Sequence, residues 1–205
     1  MSKRGKRLLK TIIVLVLIAL IGFMVYTKFF AGKHQAKKIE VVDEIKEYGY
    51  KLDENETKLY KDLFVKLKTE LEKENPNEEE YAKLVSQLFI ADFYNLDNKT
   101  SKNDIGGTQF LQPEMVQNFE LKATDTMYHT VEADLNGKRK QSLPEVTALE
   151  VTDVEQEQFS SDVVTDPQSY KVTVKLTYKE DLGYQEEVTI TLAHVDKKLN
   201  IVAVN

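Results

Sequence analysis

The residue with the clearest potential for chemistry is Asp92, an acid inside an apolar stretch. It lies in QLFIADFYNL, about one helical turn after Leu88 and Phe89, so a helix would carry it on its apolar face. A carboxyl group desolvated in this way acquires a raised pKa and can act as a general acid or base. The catalytic candidates are therefore Asp92 and the two residues that could assist it, Tyr128 and His129.

A structural role for Asp92 is the alternative interpretation. The polar loop that follows it closes with Gly106 and Gly107, and the backbone N–H groups of this loop are available donors. A buried carboxylate needs such partners whether or not it is catalytic. Because no other catalytic motif accompanies Asp92, we expect it to tie the end of a helix to this loop, and we predict that the chain is not an enzyme.

Metal and cofactor sites lack the residue patterns that they require. The sequence contains no cysteine and three histidines, which lie far apart and do not form a zinc motif. The loop 97–104 is rich in oxygen ligands, but Lys102 and Thr108 stand where a calcium loop that starts at Asp97 needs glycine and glutamate. Neither a nucleophile elbow nor a phosphate-binding glycine loop occurs. We predict no metal and no cofactor.

The N-terminus has the composition of a membrane anchor. Five basic residues precede a stretch from Thr11 to Thr27 that carries no charge, and aromatic residues follow it. A cleaved signal peptide would have a shorter apolar core and small residues at its cleavage site. We therefore predict a cytoplasmic basic tail at 1–10 and a transmembrane helix at 11–30 that contacts membrane lipid.

The distribution of charge suggests where the remaining chain lies and what it avoids. The first 30 residues carry six basic and no acidic groups, whereas the rest carries 22 basic and 34 acidic groups, a net charge of −12. The positive-inside rule then predicts a single-pass protein of the cell membrane, with a cytoplasmic N-terminus and an extracytoplasmic C-terminal domain. So acidic a domain repels phosphate backbones, and we predict no nucleic-acid partner.

Helical patterns dominate the first part of the predicted domain. We expect a helical juxtamembrane stalk at 31–50 and an extracytoplasmic domain at 51–205. The first helix of the domain follows a capping box that starts at Asp53, and the second is capped by Asn77. A third helix opens at Pro113, with its buried face formed by apolar residues at helical spacing: Met115, Phe119, Ala123, Met127 and Val131.

The period of the apolar residues changes from 3.6 to 2 after Leu143. The stretch YKVTVKLTYKE alternates strictly, and YQEEVTITLAHV and LNIVAVN repeat the pattern after short turns. Four successive strands of this kind indicate an antiparallel meander with one buried face. The sequence thus predicts an α+β fold in which about three helices pack on a curled four-stranded antiparallel sheet, preceded by the transmembrane helix.

This order of elements resembles the nuclear transport factor 2-like, or cystatin-like, cone fold. Across residues 11–205 the architecture is similar to the bitopic scaffold proteins of type IV secretion and conjugation systems, which share the basic tail, single span, stalk, helices and sheet. The resemblance implies an interaction or scaffold module of a bacterial cell-envelope assembly that binds other envelope proteins and could form homo-oligomers. The alternative is a cone-fold enzyme or small-ligand sensor with a cavity near Asp92.

Overall fold

A computed structural model of the chain describes residues 40–134 and 137–205. The first part of the described chain, before the sheet, contains a hairpin, three helices and two short 3-10 turns. Its elements are β1 (Val41–Ile45), β2 (Tyr50–Asp53), α1 (Lys58–Leu71), α2 (Glu78–Phe93), the turns Thr108–Phe110 and Pro113–Met115, and α3 (Val116–Asp125). The sheet comprises β3 (Val146–Ser160), β4 (Thr165–Tyr178), β5 (Glu187–Val195) and β6 (Lys198–Val204).

Side-chain caps define where the two long helices begin. The Thr57 hydroxyl accepts a hydrogen bond from the Tyr60 N–H at 3.1 Å, and the Asn77 side chain accepts one from the Glu80 N–H at 2.9 Å. Each cap satisfies one of the backbone donors that a helix leaves unpaired in its first turn. The Asn77 cap was predicted from the sequence, whereas α1 is capped by Thr57 and not by the predicted Asp53.

The four-stranded sheet is an antiparallel meander in the order β3-β4-β5-β6. Val172 pairs with Ile190 and Val174 with Val188, and all four side chains are buried on one face. Helix α2 covers this face and contacts β3, β4 and β6. This confirms the predicted α+β arrangement of three helices and a four-stranded antiparallel sheet.

The two edge strands of the sheet differ in regularity. The register of the fifteen-residue strand β3 against β4 shifts at three places, and most of its residues are exposed. Strand β6 at the opposite edge is shorter and mostly buried, and Leu111 forms a parallel bridge to Ile201 on its outer side. Only part of the β6 edge is therefore covered by the described chain.

The described part of the region assigned to a helical stalk, 31–50, contains β1 and the turn that leads into β2. Gly49 adopts a φ of +68° in this turn, a conformation that glycine accepts without strain. The helical prediction is therefore wrong for residues 41–50, which belong to a hairpin. Residues 31–39 lie outside the described residues.

Within residues 40–134 and 137–205, no helix has both the length and the apolar character needed to cross a membrane. The longest, α2, has 16 residues, which corresponds to about 24 Å against the ~30 Å of a bilayer core, and it carries charged side chains. This finding contradicts the predicted fold class in its transmembrane part and the predicted single-pass location in the cell membrane. The segments 1–10 and 11–30, on which those predictions were based, lie outside the described residues.

Candidate functional site

Asp92 is buried at the end of α2, where both of its carboxylate oxygens have partners. The side chain is largely inaccessible, with the residue 8% exposed. Its Oδ2 accepts a hydrogen bond from the Gly107 N–H at 2.6 Å, and its Oδ1 forms an ion pair with the buried Lys99 ammonium. Asp92 therefore joins the end of α2 to the glycine loop, in the contact expected from the sequence.

Tyr128 holds the same glycine turn from another side. Its hydroxyl accepts a hydrogen bond from the Gly106 N–H at 3.2 Å and donates one to the Phe93 carbonyl at 2.7 Å. A Cβ on Gly106 would lie 2.5 Å from the Asp92 carbonyl oxygen and closer still to its Oδ1. The turn thus fits against Asp92 only because a glycine occupies position 106.

The third candidate, His129, does not join this cluster. His129 is exposed and lies after the end of α3, and its backbone N–H donates to the Thr126 carbonyl at 3.2 Å. The structure therefore brings Asp92 and Tyr128 to adjacent glycines. It leaves the imidazole of His129 facing solvent.

A polar pocket of about 350 Å³ opens beside Asp92. The charged residues that line it come from β2, the segment before α1, α2 and the loop after α2: Lys51, Asp53, Glu56, Asp92, Lys99 and Asp104. Within the described structure the Glu56 Oε2 atom is buried without a hydrogen-bond partner. Burial, reinforced by the negative charge of Asp92, raises the pKa of Glu56 to about 8, so this carboxyl group is mainly protonated at neutral pH.

Lys99 is the buried positive charge of the pocket, whereas the other lysine that lines it, Lys51, is exposed. Burial by itself would lower the pKa of the Lys99 ammonium, but the carboxylates around it, Asp92 first, outweigh that effect and raise it. Lys99 therefore remains charged and compensates Asp92 inside the protein. This partner was not predicted from the sequence, because a lysine in a polar loop gives no signal that it is buried.

Both carboxylate oxygens of Asp92 have partners inside the protein. Lys99 contacts Oδ1 and the Gly107 N–H bonds to Oδ2, so a substrate at either oxygen would compete with one of these contacts. The described part of the chain also contains no group of histidine, aspartate and glutamate side chains that could hold a metal ion. Asp92 and Lys99 thus form a buried polar connection in which each of the two charges has the other as its partner.

A second polar cluster lies elsewhere, between β4, β5 and the start of α2. Asp166 is buried and accepts hydrogen bonds from the backbone N–H and from Nδ1 of His194, each at 2.7 Å. The His194 Nε2 lies 3.6 Å from Oε1 of Glu78. Burial would raise the pKa of Asp166, but the hydrogen bonds and charge of His194 and the Gln168 N–H outweigh it and lower it. These residues are too distant in sequence to be associated by spacing.

An apolar groove of about 910 Å³, larger than the polar pocket, lies between α3 and the end of β6. Residues Phe93 and Tyr94 at the end of α2 also line it, as do Tyr184 and Gln185 before β5. Its other lining residues include Glu114, Met115, Asn118, Phe119, Lys122, Ala123, Met127, Val163, Ala203, Val204 and Asn205. The sequence predicted that the apolar face of the third helix is buried. Among the residues of that face that line the groove, Ala123 is buried, whereas Met115, Phe119 and Met127 remain partly exposed.

Comparison with known proteins does not extend the assignment: no protein-family model, curated protein or solved structure matches the chain. The resemblance to the nuclear transport factor 2-like cone accordingly stays a prediction that rests on the order of elements.

Proposed function

We propose that this chain is a protein-interaction module that binds a segment of a partner protein in the apolar groove between α3 and the end of β6. The observation that carries the proposal is the groove itself, which leaves methionine, aromatic and aliphatic side chains accessible. Burial of such surface provides the main favourable free energy of association. Methionine and aromatic residues are also enriched at the centre of protein interfaces.

Val163, between β3 and β4, adds an accessible aliphatic side chain to this surface, since it lines the groove and is 54% exposed. Apolar side chains grouped in one concavity are typical of an interaction site, because single exposed apolar residues are common but grouped ones are not.

The contacts of Asp92 favour this proposal over the enzyme alternative. That alternative requires a cavity in which Asp92 is free to react, whereas in the polar pocket Asp92 is paired with Lys99. Two of the three candidates, Asp92 and Tyr128, each hold one N–H of the glycine turn. These contacts support an internal role and leave the groove as the better functional surface.

Two adjacent positions on α3 allow a direct test. A photoreactive benzophenone amino acid at Asn118 would point into the groove, whereas the same group at Gln117 would not, although both positions are exposed. In cells that express the full chain, we expect irradiation at position 118 to give one reproducible crosslinked peptide, identified by mass spectrometry. Position 117 should not give it, and Phe119→Asp should remove it. Equal crosslinking from both positions, or adducts of small molecules alone, would exclude the proposal.

A further inference from the structure

The outer edge of β6 has unpaired backbone groups beside the groove. The N–H and C=O of Asn205 both bond to Thr189 on β5, at 3.0 Å each. In an antiparallel ladder such paired bonds recur at every second residue. The N–H and C=O of Val204, which is in register with Ile190, therefore point away from β5. No residue in the described ranges pairs with them.

A short segment of the chain already pairs with the first part of this edge. Leu111 bridges to Ile201 in parallel orientation, and the Gln112 N–H donates to the Ile201 carbonyl at 2.9 Å. Pro113 then begins the 3-10 turn that leads into α3, so the chain leaves the edge before it reaches Val204. The groove opens at this point, with β6 on one side and α3 on the other.

From this geometry, and resting on the proposed function, we infer that the partner segment binds as an extended strand that adds to the outer edge of β6. Its backbone would bond to the free N–H and C=O of Val204. Its alternate side chains would enter the groove, where Phe119 and Met127 lie. In this mode of recognition backbone bonds provide affinity and side-chain pockets provide specificity. A bound helix would satisfy its own backbone and leave these groups unpaired.

The charges around the groove define the chemistry of that strand. Its walls carry one acid and one base, Glu114 and Lys122, so an uncharged apolar centre fits them. The exposed charged residues that directly flank lining residues in the chain are acidic: Glu120, Asp125, Asp162 and Glu186. Electrostatic complementarity then favours basic residues at the ends of the partner segment.

Substitutions at Val204 distinguish the contribution of its backbone N–H to binding from that of its side chain. Val204→Pro removes the outward N–H without removing a bond to β5, and proline is accepted at such outer-edge positions. Val204→Thr keeps the N–H and serves as the matched control. Phe119→Asp disrupts the groove and tests the proposed function separately.

The probe is a library of random dodecapeptides displayed on phage and selected against the full-length chain. We expect enrichment of peptides with apolar residues at alternate positions and basic residues at their ends. A synthetic enriched peptide should bind wild type and Val204→Thr with similar affinity, and Val204→Pro about tenfold more weakly, the loss expected for one backbone hydrogen bond. Two further versions of the peptide carry backbone N-methyl groups on alternate central residues, one version for each of the two alternating sets. We expect only one version to lose affinity, the one whose N-methyl groups face the edge of β6.

The outcomes distinguish the two proposals. If Phe119→Asp abolishes binding but Val204→Pro and both N-methylated peptides bind as wild type does, strand addition is overturned and the groove remains the binding site. If selection enriches no peptide whose binding depends on Phe119, the proposed function fails and the inference fails with it. Should Val204→Pro lose its native circular dichroism spectrum, the N-methylated peptides on wild-type protein decide the question.

Discussion

Asp92 and Phe93 are consecutive residues at the end of α2, yet they line two different concavities. Asp92 belongs to the polar pocket, where it is paired with Lys99 inside the protein. Phe93 belongs to the groove, whose apolar side chains are left partly exposed. The pocket is rich in the ionisable residue types of an active site, whereas the groove is mainly apolar and has Glu114 and Lys122 as its charged lining residues. The proposed function therefore rests on accessible apolar surface and not on the presence of ionisable groups.

The largest expected effect follows from the breaking of the ion pair in the pocket. Asp92→Ala leaves the buried Lys99 ammonium without a counter-charge and the Gly107 N–H without its acceptor. We expect the free energy of unfolding to fall by about 3–5 kcal/mol, measured by urea denaturation. The double variant Asp92→Asn/Lys99→Met, which removes both charges, should be less destabilised than Asp92→Ala. A stability of Asp92→Ala close to that of wild type would contradict the internal role of the pair.

The glycine turn beside Asp92 gives the next effect. In Gly106→Ala the new Cβ meets the backbone and carboxylate of Asp92, neither of which can move easily. We expect a loss of about 2–3 kcal/mol in the free energy of unfolding, mainly from overpacking. At Gly49, where a Cβ would find open space and only the positive φ opposes it, alanine should cost about 1 kcal/mol. Equal losses at both positions would show that the turn does not depend on close contact with Asp92.

The protonated carboxyl group of Glu56 makes the pocket sensitive to pH. Its pKa is raised from 4.5 to about 8, so the folded state keeps a proton that the unfolded state releases above about pH 4.5. The contribution of Glu56 to stability must therefore decline as the pH rises from about 4.5 to 8. Glu56→Gln removes this decline, and we expect its stability relative to wild type to be about 4 kcal/mol more favourable at pH 9 than at pH 5, since each unit of pKa shift corresponds to about 1.4 kcal/mol.

Urea denaturation at the two pH values measures this difference. The control is Glu74→Gln, since Glu74 is exposed beyond the end of α1. It should show no change between pH 5 and pH 9. A pH-independent effect of Glu56→Gln would mean that the Glu56 carboxyl group is ionised in the folded protein.

The groove should give the smallest effect on stability. Val163 is 54% exposed, so Val163→Ser should change the free energy of unfolding by less than about 0.5 kcal/mol. It should nevertheless weaken binding of a groove-selected peptide, measured by fluorescence anisotropy. Val65→Ser on α1 is the matched control, because Val65 is 58% exposed and lies outside the groove. Equal binding by both variants would remove Val163 from the interaction surface.

The regular elements of this fold were accessible from the sequence because each has a strong local signal. The alternation in YKVTVKLTYKE predicts β4, and Asn77 marks the start of α2, since period and capping depend on neighbouring residues alone. The β1–β2 hairpin was missed because its strands are short and Gly49 is compatible with either a helix end or a turn.

The candidate site was accessible only in part. The position of Asp92 on an apolar stripe predicts that it is buried, and the glycines after it predict the N–H donor that it uses. Its ion pair with Lys99 depends on how the loop folds back onto α2, which no sequence period encodes. The groove was not predicted, because the Phe119 face of α3 has the same pattern whether it is covered or left open.

The irregular strand β3 has a consequence for stoichiometry. Its three register shifts interrupt the even spacing that an added strand would need, and it exposes a series of acidic side chains: Glu150, Asp153, Glu155 and Glu157. A sheet that can extend at both edges polymerises, because every copy offers a template to the next. With β3 closed in this way, strand addition at β6 would end after one partner segment, and the product would be a one-to-one complex and not a fibre.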